Sequence, residues 1–120
     1  MTAVSNYIDL QDSSSTLQFN GPVSHNFNFF DVPSADLGVR PILAFRVAPS
    51  VGASFVTLQM TLNGVQIVTA TFHSDQGRAW IEIVETNALQ AVNNQLVATV
   101  TAGNGAITVS DVVFWYRVNV

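Results

Sequence analysis

Residues 56–72, VTLQMTLNGVQIVTATF, limit what this chain can fold into more than any other stretch. Two runs alternate apolar and polar side chains on either side of Asn63-Gly64. A period of two is the signature of a half-buried strand, and Asn-Gly favours the type I′ turn that closes a two-residue hairpin. Val56, Leu58, Met60 and Leu62 share one face. A two-residue turn sets Val65 opposite Leu62, so Val65 and Ile67 are expected to continue that face.

The rest of the chain follows the same grammar. Helical patterning is nearly absent, and short runs rich in Val, Ile, Thr and Phe recur between Gly, Pro, Asn and Asp. Strands are expected near 4–10, 16–19, 23–30, 41–48, 55–62, 65–73, 79–84, 95–102 and 106–119. A second hairpin is expected to turn at AGNGA, residues 102–106. ETNALQAVNNQ, residues 85–95, reads as a short helical turn or irregular connection, with Leu89 and Val92 plugging one end of the core. The longest loop is expected at 31–41, and a second at DSSS, 12–15. Such a series of short strands predicts an all-β chain: an antiparallel β-sandwich, a jelly roll of about 8–9 strands, with a barrel as the alternative. With no linker or composition shift, residues 1–120 are expected to form one β-sandwich domain.

VVFWYRV, residues 112–118, raises a functional question. One face of this strand carries Val112, Phe114, Tyr116 and Val118; the other carries Val113, Trp115 and Arg117. A strand on the outside of a small domain should be apolar on one face only. The second face could be covered by the N-terminal segment, serve as a platform for a ligand, or meet another copy of the chain. Aromatic residues and Arg are enriched at interfaces, so Val113, Trp115 and Arg117 are the candidate interface and a homo-oligomer is expected.

Composition narrows the partners. Charged residues make up 10% of the chain, there is no Lys or Cys, and the net charge is -4. Nucleic acid and anionic membrane surfaces both need clustered cations, so neither is an expected partner. The stretch 47–74 lacks charge, but Pro49, Gly52, Asn63 and Gly64 interrupt it, and its period is two. No membrane insertion is expected. The start, MTAVSNYIDLQD, shows no classical signal peptide, and the chain reads as soluble with its location unknown. Solubility must come from Ser, Thr, Asn and Gln, a surface that hydrogen-bonds well and repels its own copies weakly. Such a surface suits sugar binding or self-assembly.

Catalytic patterns are missing. Ser74 and Asp75 follow His73 directly, and adjacent side chains on a strand end diverge. There is no G-x-S-x-G elbow, P-loop or dinucleotide fingerprint. A glycosidase needs two facing carboxylates, and Glu82 and Glu85 should point apart. Asp31 and Asp36 read as turn residues. The chain is therefore expected not to be an enzyme and to need no cofactor. FHSDQGRAW, residues 72–80, places His73, Asp75, Gln76 and Arg78 beside Trp80. Planar polar groups next to an aromatic ring suit a sugar, whose hydroxyls need hydrogen bonds and whose C–H face needs a flat apolar partner. These five are the candidate ligand-binding residues. Trp115, Tyr116 and Tyr7 are further platforms.

From Pro41 onward the chain resembles the galactose-binding-like jelly rolls, which include many carbohydrate-binding modules. The order ILAFRV, a strand ending in LNG, RAWIEI, NALQAVNNQLVATVT and ITVSDVVFWY carries the resemblance. In those modules a Leu, a small residue and an Asn precede the penultimate strand, and an Asp enters the last. Leu89, Asn93 or Asn94, and Asp111 stand in such places, while Val92 or Asn93 replaces the usual Gly. The resemblance implies a lectin-like carbohydrate-binding module with glycans as partners. It also implies a structural calcium near the start of the domain, for which Asp9 and Asp12 are the candidate ligands. The alternative expectation is a structural subunit of a shell, fibre or appendage, whose partner is itself.

Overall fold

The computed structural model describes residues 3–119. The strands are β1 (Ala3–Gln18), β2 (Ser24–Asn26), β3 (Ile42–Ser50), β4 (Val56–Leu62), β5 (Val65–Phe72), β6 (Arg78–Ile83), β7 (Leu96–Gly103) and β8 (Ala106–Asn119). One 3-10 turn, Thr86–Ala88, lies between β6 and β7, in the segment where a helical turn was expected. Two 4-stranded sheets have the orders β1-β8-β3-β6 and β2-β7-β4-β5. All strand pairs are antiparallel. The chain switches sheets at every connection except the β4–β5 hairpin, which makes a jelly-roll sandwich rather than a barrel.

The sandwich closes because each strand offers one apolar face. Leu43, Phe45 and Val47 on β3 and Ile107, Val109, Val112 and Phe114 on β8 meet Leu58, Met60 and Leu62 on β4 and Leu96, Ala98 and Val100 on β7. On β8 the buried positions change from odd to even numbers at Asp111. An extra residue there is seen against β3, where Ala44 pairs with Val113 but Arg46 pairs with Ser110, whereas against β1 the extra residues lie on β1. Asp111 takes a φ of 52°. This bulge lets a 14-residue strand keep both halves on the core.

The Asn63-Gly64 hairpin forms, with φ values of 53° and 82° that fit a type I′ turn. Leu62 pairs with Val65 as expected, but a second bulge follows, since Thr61 pairs with Gln66 and Met60 with Val68. Ile67 becomes the extra residue, and Val68 takes the buried place instead.

Four other expectations are corrected. The segment 102–106 does not close a hairpin: β7 pairs with β2 and β4, while β8 pairs with β1 and β3. It arches from one sheet to the other, its Asn104 and Gly105 amides donating to the Phe55 carbonyl. Residues 12–15 are not a loop between two strands, because β8 is long enough to pair with both segments. They form an irregularity within β1, where the Gln11 side chain donates to the Ser13 carbonyl and the Ser15 hydroxyl. The strand expected over 23–30 stops at Asn26. Phe27 and Phe30, three residues apart, both enter the core while Phe29 stays outside, so strand alternation cannot persist. Leu89 does plug the core, but Val92 is 55% exposed.

Asn94 explains both irregular segments. It is the one buried polar side chain found among the described residues, at 0% exposure. Its Oδ1 accepts from the Gln90 amide and from Asn63 Nδ2, and its Nδ2 donates to the Gln90 and Phe30 carbonyls. Asn63 in turn donates to the Ala88 carbonyl and accepts from the Gln95 amide. Two asparagines thus bind the hairpin turn, the 3-10 turn and the segment after β2 into one network, which satisfies amides that no strand pairs.

Candidate functional site

The two outer faces of the sandwich are chemically opposite. On the β2-β7-β4-β5 sheet the outer face is neutral and polar, with Thr57, Gln59 and Thr61 on β4 beside Thr71, Thr69 and Gln66 on β5. Hydrogen bonds already join many of them, including Thr57 to Thr71 at 2.8 Å and Gln59 to Gln66 at 3.0 Å.

The outer face of the β1-β8-β3-β6 sheet is apolar at one end and polar at the other, where Arg46, Ser110, Thr108 and Thr16 lie. Strand register places Tyr7 beside Trp115, Trp115 beside Ile42, and Ile42 beside Ile83. The next row holds Val113, Ala44 and Ile81. Tyr7 is 56% exposed and Trp115 is 42% exposed. Their ring centroids lie 5.1 Å apart with planes inclined at 39°. The puzzle of VVFWYRV is answered here. β8 is a central strand, β1 lies beside it rather than over it, and the Trp115 face stays open.

A groove of about 410 Å³ runs next to this aromatic pair, lined by Ser5, Val39, Arg40, Ile42, Trp115, Tyr116 and Arg117. The loop between β2 and β3 builds its wall. The Asp36 amide donates to the Arg117 carbonyl at 2.7 Å, the Asn119 amide donates to the Ser34 carbonyl at 3.1 Å, and Ala35 bridges to Val118. The loop is thereby held along the end of β8, which brings Arg40 to the groove. Arg40 also lies 3.7 Å from Glu85, an exposed ion pair of little energetic weight. Arg40 and Arg117 are far apart in sequence and converge only through this docking. An aromatic face beside guanidinium groups and hydroxyls can hold the C–H face of a ring while donating hydrogen bonds to its oxygens.

His73, Asp75, Gln76, Arg78 and Trp80 are brought together along the β5–β6 connection, toward the other end of β8. All but Gln76 have local partners. Asp75 Oδ1 accepts from the Val51 amide at 2.6 Å and the Gly52 amide at 3.1 Å. These bonds hold the Asp75 carboxyl below its ordinary pKa. The Arg78 guanidinium lies over the Phe72 ring, 5.5 Å from its centroid. Trp80 is half-buried, packs edge-on against Phe72, and donates from Nε1 to Glu82 at 3.1 Å. His73 lies beside Phe55, 5.9 Å between centroids, and Gln76 is exposed.

Of the candidate interface residues, Trp115 and Arg117 are exposed and Val113 is half-buried. All three lie on the outer face. Asp9 and Asp12 meet at the irregular part of β1. The Asp9 carboxyl is held above its ordinary pKa by a hydrogen bond with Asp12, then by its own desolvation and by the charges of Asp12 and Asp111. Among the described residues no three His, Cys, Asp or Glu gather as a metal-binding group. Among them, too, no helix is long and apolar enough to cross a membrane. The sequence alone named Trp115, Tyr7 and Arg117 but missed Arg40 and Ser5, which carry no local signal.

No protein-family model matches the sequence, and no curated protein matches it. Solved structures do. The chain superposes on part of dimeric latent PorU from Porphyromonas gingivalis with a TM-score of 0.61 and 10% identity, covering 93% of this chain and 13% of that one. It superposes on the CBM36-1 domain of a multidomain xylanase from the hindgut metagenome of Trinervitermes trinervoides with a TM-score of 0.53 and 9% identity, covering 93% of this chain and 96% of that one. A family 35 carbohydrate-binding module from Clostridium thermocellum gives 0.51 and 20% identity over 94% of this chain and 90% of that one. The fold is that of the carbohydrate-binding-module β-sandwiches. At these identities the likeness speaks for architecture, and function is argued from the site.

Proposed function

We propose that this chain is a non-catalytic carbohydrate-binding module whose glycan lies across Tyr7 and Trp115. The observation that carries the reading is the exposed, tilted aromatic pair beside a groove edged by Arg40, Arg117 and Ser5. A sugar ring there covers apolar surface that is otherwise wet, and its hydroxyls meet donors on the groove wall. The neutral Thr and Gln surface elsewhere adds weak contacts to a long polysaccharide. The 73–80 segment is a second contact region in this reading, with His73, Gln76 and Arg78 facing solvent and Asp75 holding the loops in place.

Calorimetric titration against a panel of plant and microbial polysaccharides tests the proposal. Trp115→Ala is expected to weaken binding roughly tenfold or more, while Trp80→Ala, whose ring packs against the core, weakens it less. If no polysaccharide binds, or if Trp115→Ala binds as the parent does, the reading fails.

Calcium belongs to the same proposal, at Asp9 and Asp12. What favours it is the proximity of the two carboxyls, which raises the Asp9 pKa and where an added cation would relieve repulsion. Two carboxylates fall short of the roughly 6–8 oxygens that Ca²⁺ takes, so water must complete the shell. A rise in Tm with CaCl₂ that disappears in Asp12→Asn supports this site; no rise excludes it.

A further inference from the structure

We propose that β6 is a self-complementary edge through which two copies of this chain join their β1-β8-β3-β6 sheets into one continuous sheet. The sandwich has four sheet edges, and three are blunted. β1 carries two register irregularities against β8. β2 is 3 residues long. β5 is interrupted by the bulge at Ile67. Of the edge strands longer than three residues, β6 alone runs in unbroken register with its neighbour, from Ile42–Ile83 to Val47–Arg78. Its sequence, RAWIEI, contains no Pro or Lys, two of the residues that natural edges use against pairing, and its charges, Arg78 and Glu82, are of opposite sign.

The phase of the open edge follows from one hydrogen bond. The Val84 amide donates to the Pro41 carbonyl on the β3 side. Amides and carbonyls alternate along a strand, so those of Trp80 and Glu82 also point to β3, and those of Ala79, Ile81 and Ile83 point outward. Ile81 and Ile83 are moreover 69% and 60% exposed. The edge therefore offers both unpaired backbone groups and apolar side chains.

Charge identifies the partner. In an antiparallel pair centred on Trp80, each Arg78 opposes the Glu82 of the other copy, on both sides of a Trp80–Trp80 contact. The same register sets Ala79 opposite Ile81, both with outward backbone groups, so ladder bonds and ion pairs form together. Arg78, Trp80 and Glu82 read as their own complement about a two-fold axis, the symmetry of an isologous dimer. On the outer face the same register sets Ile81 beside Ala79 of the second copy and Ile83 opposite its Gly77. The dimer leaves the Tyr7–Trp115 groove free, since that groove lies away from the two-fold axis, but it takes Arg78 and Trp80 from the second contact region.

Sedimentation equilibrium over a concentration series is the test. The parent chain is expected to dimerise. Ile81→Pro removes an outward amide without touching the β3 ladder and is expected to give a monomer that still binds ligand at Trp115. Arg78→Glu and Glu82→Arg each place like charges across the pair and should weaken the dimer roughly tenfold. The double swap of Arg78→Glu with Glu82→Arg should restore it, as should mixing the two single variants. Trp115→Glu should leave the dimer intact. Circular dichroism and Tm confirm folding of each variant. A monomeric parent, a dimer indifferent to Ile81→Pro, no rescue by the double swap, or dissociation by Trp115→Glu would each overturn the proposal.

Discussion

Asn94 shows how much a single side chain can organise in a chain with few charges. Four hydrogen bonds converge on its buried amide. Replacing it by Ala strips the Asn94 side-chain partners from the Gln90 amide and carbonyl, takes one of two acceptors from Asn63 Nδ2, and opens a cavity. Asn94→Ala is expected to cost about 3 kcal/mol in urea unfolding. The acidic side chains act in opposite directions. Asp75 has a folded pKa below its ordinary 3.8. Its contribution is complete above that value and is lost as pH falls through the folded one. Asp9 has a folded pKa above 3.8, so its contribution is present below that value and is lost as pH rises through the folded one. Melting curves from acid to neutral pH should therefore show Asp75→Asn destabilised chiefly at neutral pH. Asp12→Asn should gain stability over the parent at neutral pH, where Asp9 and Asp12 repel, and lose that advantage in acid.

At the scale of elements, β8 carries most of the argument. It is central, it bulges at Asp111, and it buries one face while leaving Trp115 open on the other. The Trp115 ring touches Tyr7 but no core residue holds it. Trp115→Ala should accordingly lower stability by only about 1 kcal/mol while removing ligand affinity. The arch into β8 is less forgiving. Gly103 has a φ of 92°, and a Cβ there would run into the Phe55 carbonyl. Gly103→Ala is expected to cost about 2 kcal/mol or more by thermal unfolding, because both strain and overlap must be relieved.

At the scale of the whole molecule, the two sheets divide the work of the surface. One outer face is a lattice of Thr and Gln that already hydrogen-bond to each other. The other gathers Tyr7, Trp115, Ile42, Ile81 and Ile83 across four strands. An apolar face of this kind on an otherwise polar domain marks an interaction surface. A double variant, Tyr7→Ala with Trp115→Ala, should abolish polysaccharide retention in affinity electrophoresis, and retention unchanged from the parent would remove the platform from consideration.

The sequence by itself determined the fold class, most strand positions and the Asn63-Gly64 turn. Alternation of side chains and the positive φ of an Asn-Gly turn are local properties, written in adjacent residues. It also separated the two faces of VVFWYRV, but left the Trp115 face covered, ligand-bearing or paired with another copy. Only the tertiary structure decided which strands pair. AGNGA has hairpin chemistry, yet its flanking strands belong to different sheets, because β8 finds longer partners in β1 and β3 than β7 could offer. Nor could local pattern foresee the bulges that exchange Ile67 for Val68, the exposure of Val92, or the loop that carries Arg40 to Trp115. These depend on packing between residues distant in the chain, where the cost of an unpaired amide or an exposed core side chain outweighs local preference.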